Sequence, residues 1–277
     1  MMKRMWLPAA AAAAGIYAMR TGNRRDPRVE ALKACRYFAH RGLHDLSRGI
    51  PENTMTAFHE ARIHGYGAEL DVQLTKDGIP VIYHDFHVSR LCTKEDGTKA
   101  EGRLDQYDLE QLRQLRVGGT EERIPLFADV LKEANGEMPL IIELKVDKGK
   151  MIEPLCRAVL ALLKDYKGLY CIESFDPRAV RWLYLNEPDI IRGQLYEDVY
   201  RTGRQWMYKA SGNLLFGFLT RPDFIAYHWN HSGAVLGRIC RAVMPAMKVC
   251  WTVRTPEQLE KVRRIYDVYI FEGFLPE

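Results

Sequence analysis

Three consecutive stretches decide the fold: Ala68-Glu69-Leu70-Asp71-Val72-Gln73-Leu74, then Thr75-Lys76-Asp77-Gly78-Ile79, then Pro80-Val81-Ile82-Tyr83-His84. Side chains two apart on a strand share a face. The first stretch therefore sets Glu69 and Asp71 side by side and turns Leu70 and Val72 into apolar packing. Two carboxylates that close repel unless a cation sits between them. A hard divalent ion with oxygen ligands is the simplest candidate. The middle stretch is too short for a parallel crossover, which takes about a dozen residues. It reads as a tight turn on Asp77-Gly78, so one flanking run is antiparallel or outside a regular parallel sheet. The turn also carries His84 back toward the two carboxylates.

Outward from this hairpin, strand-like runs occur at residues 37–40, 68–74, 80–84, 140–144, 169–174, 190–195, 224–227, 248–253 and 268–271. Helical patterns lie between most of them. Residues 54–64 carry apolar positions at Met55, Phe58, Ala61 and Ile63, and 154–164 repeat leucine and alanine. Residues 177–186 and 256–266 open on proline, which costs little in a first turn, and Thr255 precedes the second as an N-cap. Such alternation predicts a parallel α/β architecture, and about eight units in about 240 residues fit a (β/α)8 TIM barrel. The run beyond eight is absorbed by the hairpin. The polar stretch 86–123 holds Lys94-Glu95-Asp96-Gly97 and one helical piece at 109–115. It is expected to be an insertion after the third strand-like run of a barrel domain over 36–277, placed where it shapes substrate access.

The 277 residues are 47% hydrophobic and 27% charged, an ordinary globular balance with room for a sizeable core. A net charge of +4 is too mild to argue for nucleic acid. The six cysteines match neither a CxxC metal site nor a small disulfide framework, and Cys171 and Cys250 are expected as buried thiols. Residues 1–25 differ from the rest. Lys3 and Arg4 precede an alanine-rich apolar run over 5–19, and Arg20, Arg24 and Arg25 follow. As a helix that run spans about 22 Å, short of a hydrocarbon core of about 30 Å. A membrane anchor is the first reading; a cleaved signal and a buried helix stay open.

Several residues carry chemistry. Glu143 stands at the end of run 140–144, the catalytic end of a strand in such barrels, with Lys145 two residues on. It either adds a third carboxylate to Glu69 and Asp71, an oxygen-only set that favours Ca2+ or Mg2+ over zinc, or forms a surface ion pair with Lys145. His40 is followed by Arg41, a planar donor fork suited to phosphate, and by Gly42, which permits close backbone approach. His84 is followed by Asp85. One histidine can take a proton from water while the other gives one to a leaving alkoxide. The competing reading makes both packing residues. His44, His59, His64, His87, His228 and His231 carry less, and His59 and His64 are expected to face solvent. Pro51-Glu52-Asn53-Thr54 reads as a helix start, with Asn53 or Thr54 capping; Glu52 also suits orienting Arg41. Trp251 fits an aromatic wall over a small polyol, or the core. The whole inventory suits phosphodiester hydrolysis.

In order along the chain come His40-Arg41-Gly42, Pro51-Glu52-Asn53-Thr54, Glu69-Leu70-Asp71-Val72, Thr75-Lys76-Asp77-Gly78, His84-Asp85, Ile124-Pro125, Glu143-Leu144-Lys145, Ser174-Phe175 and Trp251-Thr252-Val253. This ordered set, over about residues 37–276, closely resembles the glycerophosphodiester phosphodiesterase family. The resemblance implies a (β/α)8 barrel and a calcium or magnesium ion held by Glu69, Asp71 and Glu143. It implies His40 and His84 as the acid–base pair, with Arg41 and Lys145 beside the phosphate. The implied reaction cleaves a glycerophosphodiester to glycerol 3-phosphate and an alcohol. Two departures stand out. Near the last strand, where many members have a Thr-Asp pair, the stretch is Ile270-Phe271-Glu272-Gly273-Phe274, and Arg254 stands where a small amide often follows the Trp-Thr-Val run. The N-terminal run resembles membrane-attached, bacterial-type members, which brings a lysophospholipid substrate and a lysophospholipase D reaction into range. A catalytically silent barrel is the remaining alternative, and the joint presence of His40, His84, Glu69, Asp71 and Glu143 argues against it.

Overall fold

Helix α1 (Pro27–Cys35) begins where Asp26 accepts a hydrogen bond from the Arg28 amide and Pro27 takes the first turn. It was not foreseen from the sequence. Its Val29 and Leu32 pack with Phe38, Phe224 and Val268, which closes one end of the molecule. The chain then runs β1 (Tyr37–Ala39), α2 (Met55–Ile63), β2 (Gly67–Leu74), β3 (Pro80–Ile82), β4 (Cys92–Thr93), α3 (Leu109–Arg113), β5 (Arg116–Val117), α4 (Phe127–Ala134) and β6 (Leu140–Leu144). It continues α5 (Ile152–Leu163), β7 (Tyr170–Ser174), α6 (Pro177–Asn186), β8 (Arg192–Tyr196), α7 (Gly217–Thr220), β9 (Phe224–His228), β10 (Met247–Val253), α8 (Pro256–Val262) and β11 (Val268–Phe271). The structure, a computed structural model, describes residues 21–22, 26–147, 151–196, 217–231 and 246–277. The apolar run at 5–19 and its flanking arginines lie outside these. Among the described residues no helix is long and apolar enough to cross a membrane.

The nine-stranded sheet is a closed barrel plus one arm. β1, β2 and β6 to β11 pair in parallel, and β1 touches both β11 and β2. The hairpin behaves as its short link requires. Ala68 to Val72 of β2 lie beside β6, whereas Val72 to Leu74 take β3 in antiparallel register. β2 thus overshoots the barrel rim, and β3 is not a barrel strand. The chain therefore adopts the eight-stranded parallel barrel that the alternation predicts.

The faces of β2 divide as expected. Leu70 and Val72 join the layer between sheet and helices, with Phe58, Phe127 and Ile142. Glu69 and Asp71 point into the barrel. Cys171 and Cys250 are fully buried, as expected. Helix α2 departs from expectation: Ala57, Phe58 and Ala61 are buried, but Ile63 is 55% exposed at its end. Helix α4 went unread although Phe127, Val130, Leu131 and Ala134 follow helical spacing, and all four are buried. Phe127→Ala is expected to lower stability by about 3–5 kcal/mol in denaturant unfolding.

Residues 86–123 fold around an apolar cluster of their own that includes Val88, Leu104, Leu112 and Val117. β4 and β5 form a small antiparallel sheet within it. Arg103 pairs with Asp147 at 2.9 Å, which ties this segment to the loop after β6.

Candidate active site

The strand register assembles the acidic cluster. Asp71 of β2 lies opposite Glu143 of β6, and Glu143 lies opposite Glu173 of β7. Glu69 sits one inward step below Asp71. All four are buried. Oxygens of Glu69, Asp71 and Glu143 come within 4.8 Å of one another. Lys145 reaches Glu143 at 2.9 Å and Asp71 at 3.3 Å. The pair is buried at the cavity, so the surface ion-pair reading of Glu143 and Lys145 does not hold.

Backbone geometry brings the β1 loop to this cluster. Arg41 adopts φ 56° and its amide donates to Glu69 Oε2 at 3.1 Å. Gly42 has φ 78°, and a Cβ there would lie 2.7 Å from the Ala57 backbone. Only glycine fits this approach of the loop to α2. The Arg41 guanidinium donates to Glu52 at 2.7 Å and lies 3.4 Å from Asp71.

Each histidine rests on a carboxylate. His40 Nδ1 is 2.7 Å from Glu272 Oε2, and His84 Nδ1 is 2.6 Å from Asp85 Oδ1. Arg90 grips Asp85 and also donates to both oxygens of Glu52, at 2.6 and 3.0 Å. A continuous set of ion pairs thus links Arg41, Glu52, Arg90, Asp85 and His84. His40, Arg41, Glu69, His84, Glu143, Lys145, Glu173 and Trp251 line one cavity of about 810 Å³ at the C-terminal ends of the strands. Asp71 and Glu52 stand behind that lining and hold Lys145 and Arg41. Trp251 is half-buried and packs edge-on against Phe175 and His228, forming a wall of the cavity.

The electrostatics are those of a site built around positive charge. Burial, then Asp71 and Glu143, push the Glu69 carboxyl well above its usual range. Burial raises Glu143 too, against the pull of Lys145. Asp71 goes the other way: burial opposes ionisation, but Lys145, His84 and Arg41 hold it low. Burial lowers His40 to about 4 against the opposing hydrogen bond to Glu272, so its imidazole is neutral near pH 7. An all-oxygen donor set and the repulsion among Glu69, Asp71 and Glu143 fit a divalent metal ion.

Four contributors escaped the sequence reading. Asn53 does not cap α2; it adopts φ 56° and donates to Asp71 at 2.8 Å. Thr54 is the N-cap, yet its hydroxyl turns back to the Pro51 carbonyl. Glu173 was visible as a carboxylate near a strand end. The link from Arg90 to Glu52 and that from Glu272 to His40 join residues 38 and 232 apart and left no local signal.

The model of the glycerophosphoryl diester phosphodiesterase family matches residues 40–269. The chain belongs to that family. A glycerophosphodiester phosphodiesterase of Caldanaerobacter subterraneus is 33% identical over 169 residues, 57% of this chain and 65% of that protein. Human glycerophosphodiester phosphodiesterase 1 is 30% identical over 186 residues, 63% of this chain and 51% of that protein. The matched region therefore spans between half and two thirds of these relatives. Solved structures share the barrel. An Oleispira antarctica phosphodiesterase, solved with the product sn-glycerol-3-phosphate, superposes with TM-score 0.69 at 24% identity, covering 86% of this chain and 92% of that one. The glycerophosphodiester phosphodiesterase of Thermotoga maritima gives TM-score 0.63 at 22% identity, covering 85% and 93%.

Proposed function

We propose that this chain hydrolyses glycerophosphodiesters such as glycerophosphocholine to glycerol 3-phosphate and an alcohol, aided by calcium or magnesium held by Glu69, Asp71 and Glu143. The observation that carries this reading is the convergence on one cavity of two carboxylate-backed imidazoles, three clustered carboxylates and two cationic side chains. The names of the relatives and the product held by the Oleispira antarctica protein support it. When bound, the cation supplies positive charge where the phosphoryl oxygens gather negative charge. Arg41 and Lys145 do the same from the protein side and are already fixed by Glu52 and Asp71, so no reorganisation is needed. His40 and His84 divide the protons. One accepts from the attacking water as the new P–O bond forms; the other donates to the alcohol oxygen as the old P–O bond breaks.

The apolar run at 5–19 is assigned as a membrane anchor. The Gly22 amide donates to the Pro222 carbonyl at 2.9 Å, just ahead of β9, at the barrel end opposite the cavity. The test is 31P NMR of the full chain with glycerophosphocholine, and separately with lysophosphatidylcholine in its own vesicles. Glycerol 3-phosphate from the first is expected. Phosphocholine as product, or turnover of the lysolipid alone, contradicts the reading.

A further inference from the structure

Three strands end side by side at one corner of the cavity rim. Ala39 of β1 and Val253 of β10 both stand opposite Phe271 of β11. The first residue beyond each strand is therefore a neighbour of the others: His40, Arg254 and Glu272. The His40 amide donates to the Phe271 carbonyl at 2.8 Å, and the Glu272 amide donates to the Val253 carbonyl at 2.9 Å, so this row is locked by the backbone. Its side chains meet as well. Glu272 Oε2 lies 2.7 Å from His40 Nδ1 and 3.3 Å from Arg254 Nη2. Arg254 and the stretch that holds Glu272 are where the sequence departs from the family pattern, and here these two residues touch.

We infer that Glu272, clamped by Arg254, is a positioning residue that fixes a proton of His40 on Nδ1 and turns Nε2 toward the reacting phosphate. The inference rests on the proposed phosphodiesterase reaction. Its physical ground is simple. A neutral imidazole carries one proton, and a carboxylate beside one nitrogen can only accept, which leaves the lone pair on the other. His40 Nε2 then faces the cavity, 4.0 Å from Glu69 Oε2. The arrangement repeats at the second histidine, where Asp85 backs His84 and Arg90 grips Asp85. Both imidazoles are thus backed by an acid that an arginine holds. At His84 the acid is the next residue in sequence. At His40 it comes from the last strand, β11, and Arg254 supplies the clamp from β10 on the far side of that strand.

Two variants and one spectrum test this. Glu272→Gln is expected to lower kcat about ten- to a hundredfold with KM held within about twofold. Arg254→Met, at a half-exposed side chain where folding is not at risk, is expected to lower kcat about two- to tenfold. In a His40→Ala background neither change should cost anything more, because a positioning residue acts only through what it positions. 15N NMR of histidine-labelled protein should place the proton of His40 on Nδ1 in the wild type and show a mixture in Glu272→Gln. An undiminished cost in the His40→Ala background, or a wild-type proton on Nε2, overturns the inference. The spectrum needs no turnover, so it decides the inference even if no glycerophosphodiester is cleaved, an outcome that would defeat the functional proposal instead.

Discussion

Glu69→Ala lowers turnover by at least about a thousandfold while the barrel stays folded, and in chelator the variant melts above the wild type. The kinetic part follows from removing one of three carboxylates that would hold the cation opposing phosphoryl charge, together with the acceptor that receives the Arg41 amide. The stability part follows from the sign of the Glu69 shift. Its folded pKa is raised by burial and by Asp71 and Glu143. Above the unfolded value, ionised Glu69 therefore disfavours the fold, and its removal relieves that cost near pH 7 when no cation is present. Calcium should raise the wild-type melting temperature, by about 2.7 kcal/mol of added stability at a hundredfold excess over Kd, and leave the variant almost unmoved. Thermal unfolding followed by circular dichroism, with and without calcium, reads both halves. Retained activity that a chelator still blocks would remove Glu69 from the ligand set.

His84→Ala is expected to lower kcat by about a hundred- to ten-thousandfold while leaving metal affinity in place. The side chain is 32% exposed, and Asp85 keeps its pairing with Arg90, so little packing or charge balance is lost. Calorimetric titration with calcium should match the wild type. A p-nitrophenyl phosphodiester then separates the two proton roles. Its leaving group needs no protonation, so the loss shrinks if His84 is the acid and persists if it is the base. Unchanged kcat on glycerophosphocholine would exclude His84 from proton transfer.

The parts of this molecule readable from sequence are those set by local periodicity and chain length. The two-residue period of β2 put Glu69 and Asp71 on one face, and the link over 75–79 made β3 a hairpin arm before any barrel was in view. Helices α1 and α4 were missed for different reasons. In α4 the apolar spacing was present and went unread. In α1 only Val29 and Leu32 are buried, so its amphipathic signal is faint. The site divides along the same line. Residues at strand ends announced themselves, whereas Asn53 presented itself as a helix cap until a left-handed backbone aimed it at Asp71. Arg90 and Glu272 matter only because closing the barrel brings β1 against β11 and folds the 86–123 segment over the rim. No local pattern records such closure.

The central claim is that this cavity hydrolyses a phosphodiester with a divalent cation held by Glu69, Asp71 and Glu143. It is tested most directly by measuring glycerol 3-phosphate released from glycerophosphocholine by the full chain, first as purified, then with chelator, then with calcium or magnesium restored. The account predicts product, its loss in chelator, and its return with either ion or both. Product that forms equally well in chelator, or no product under any of the three conditions, would contradict it.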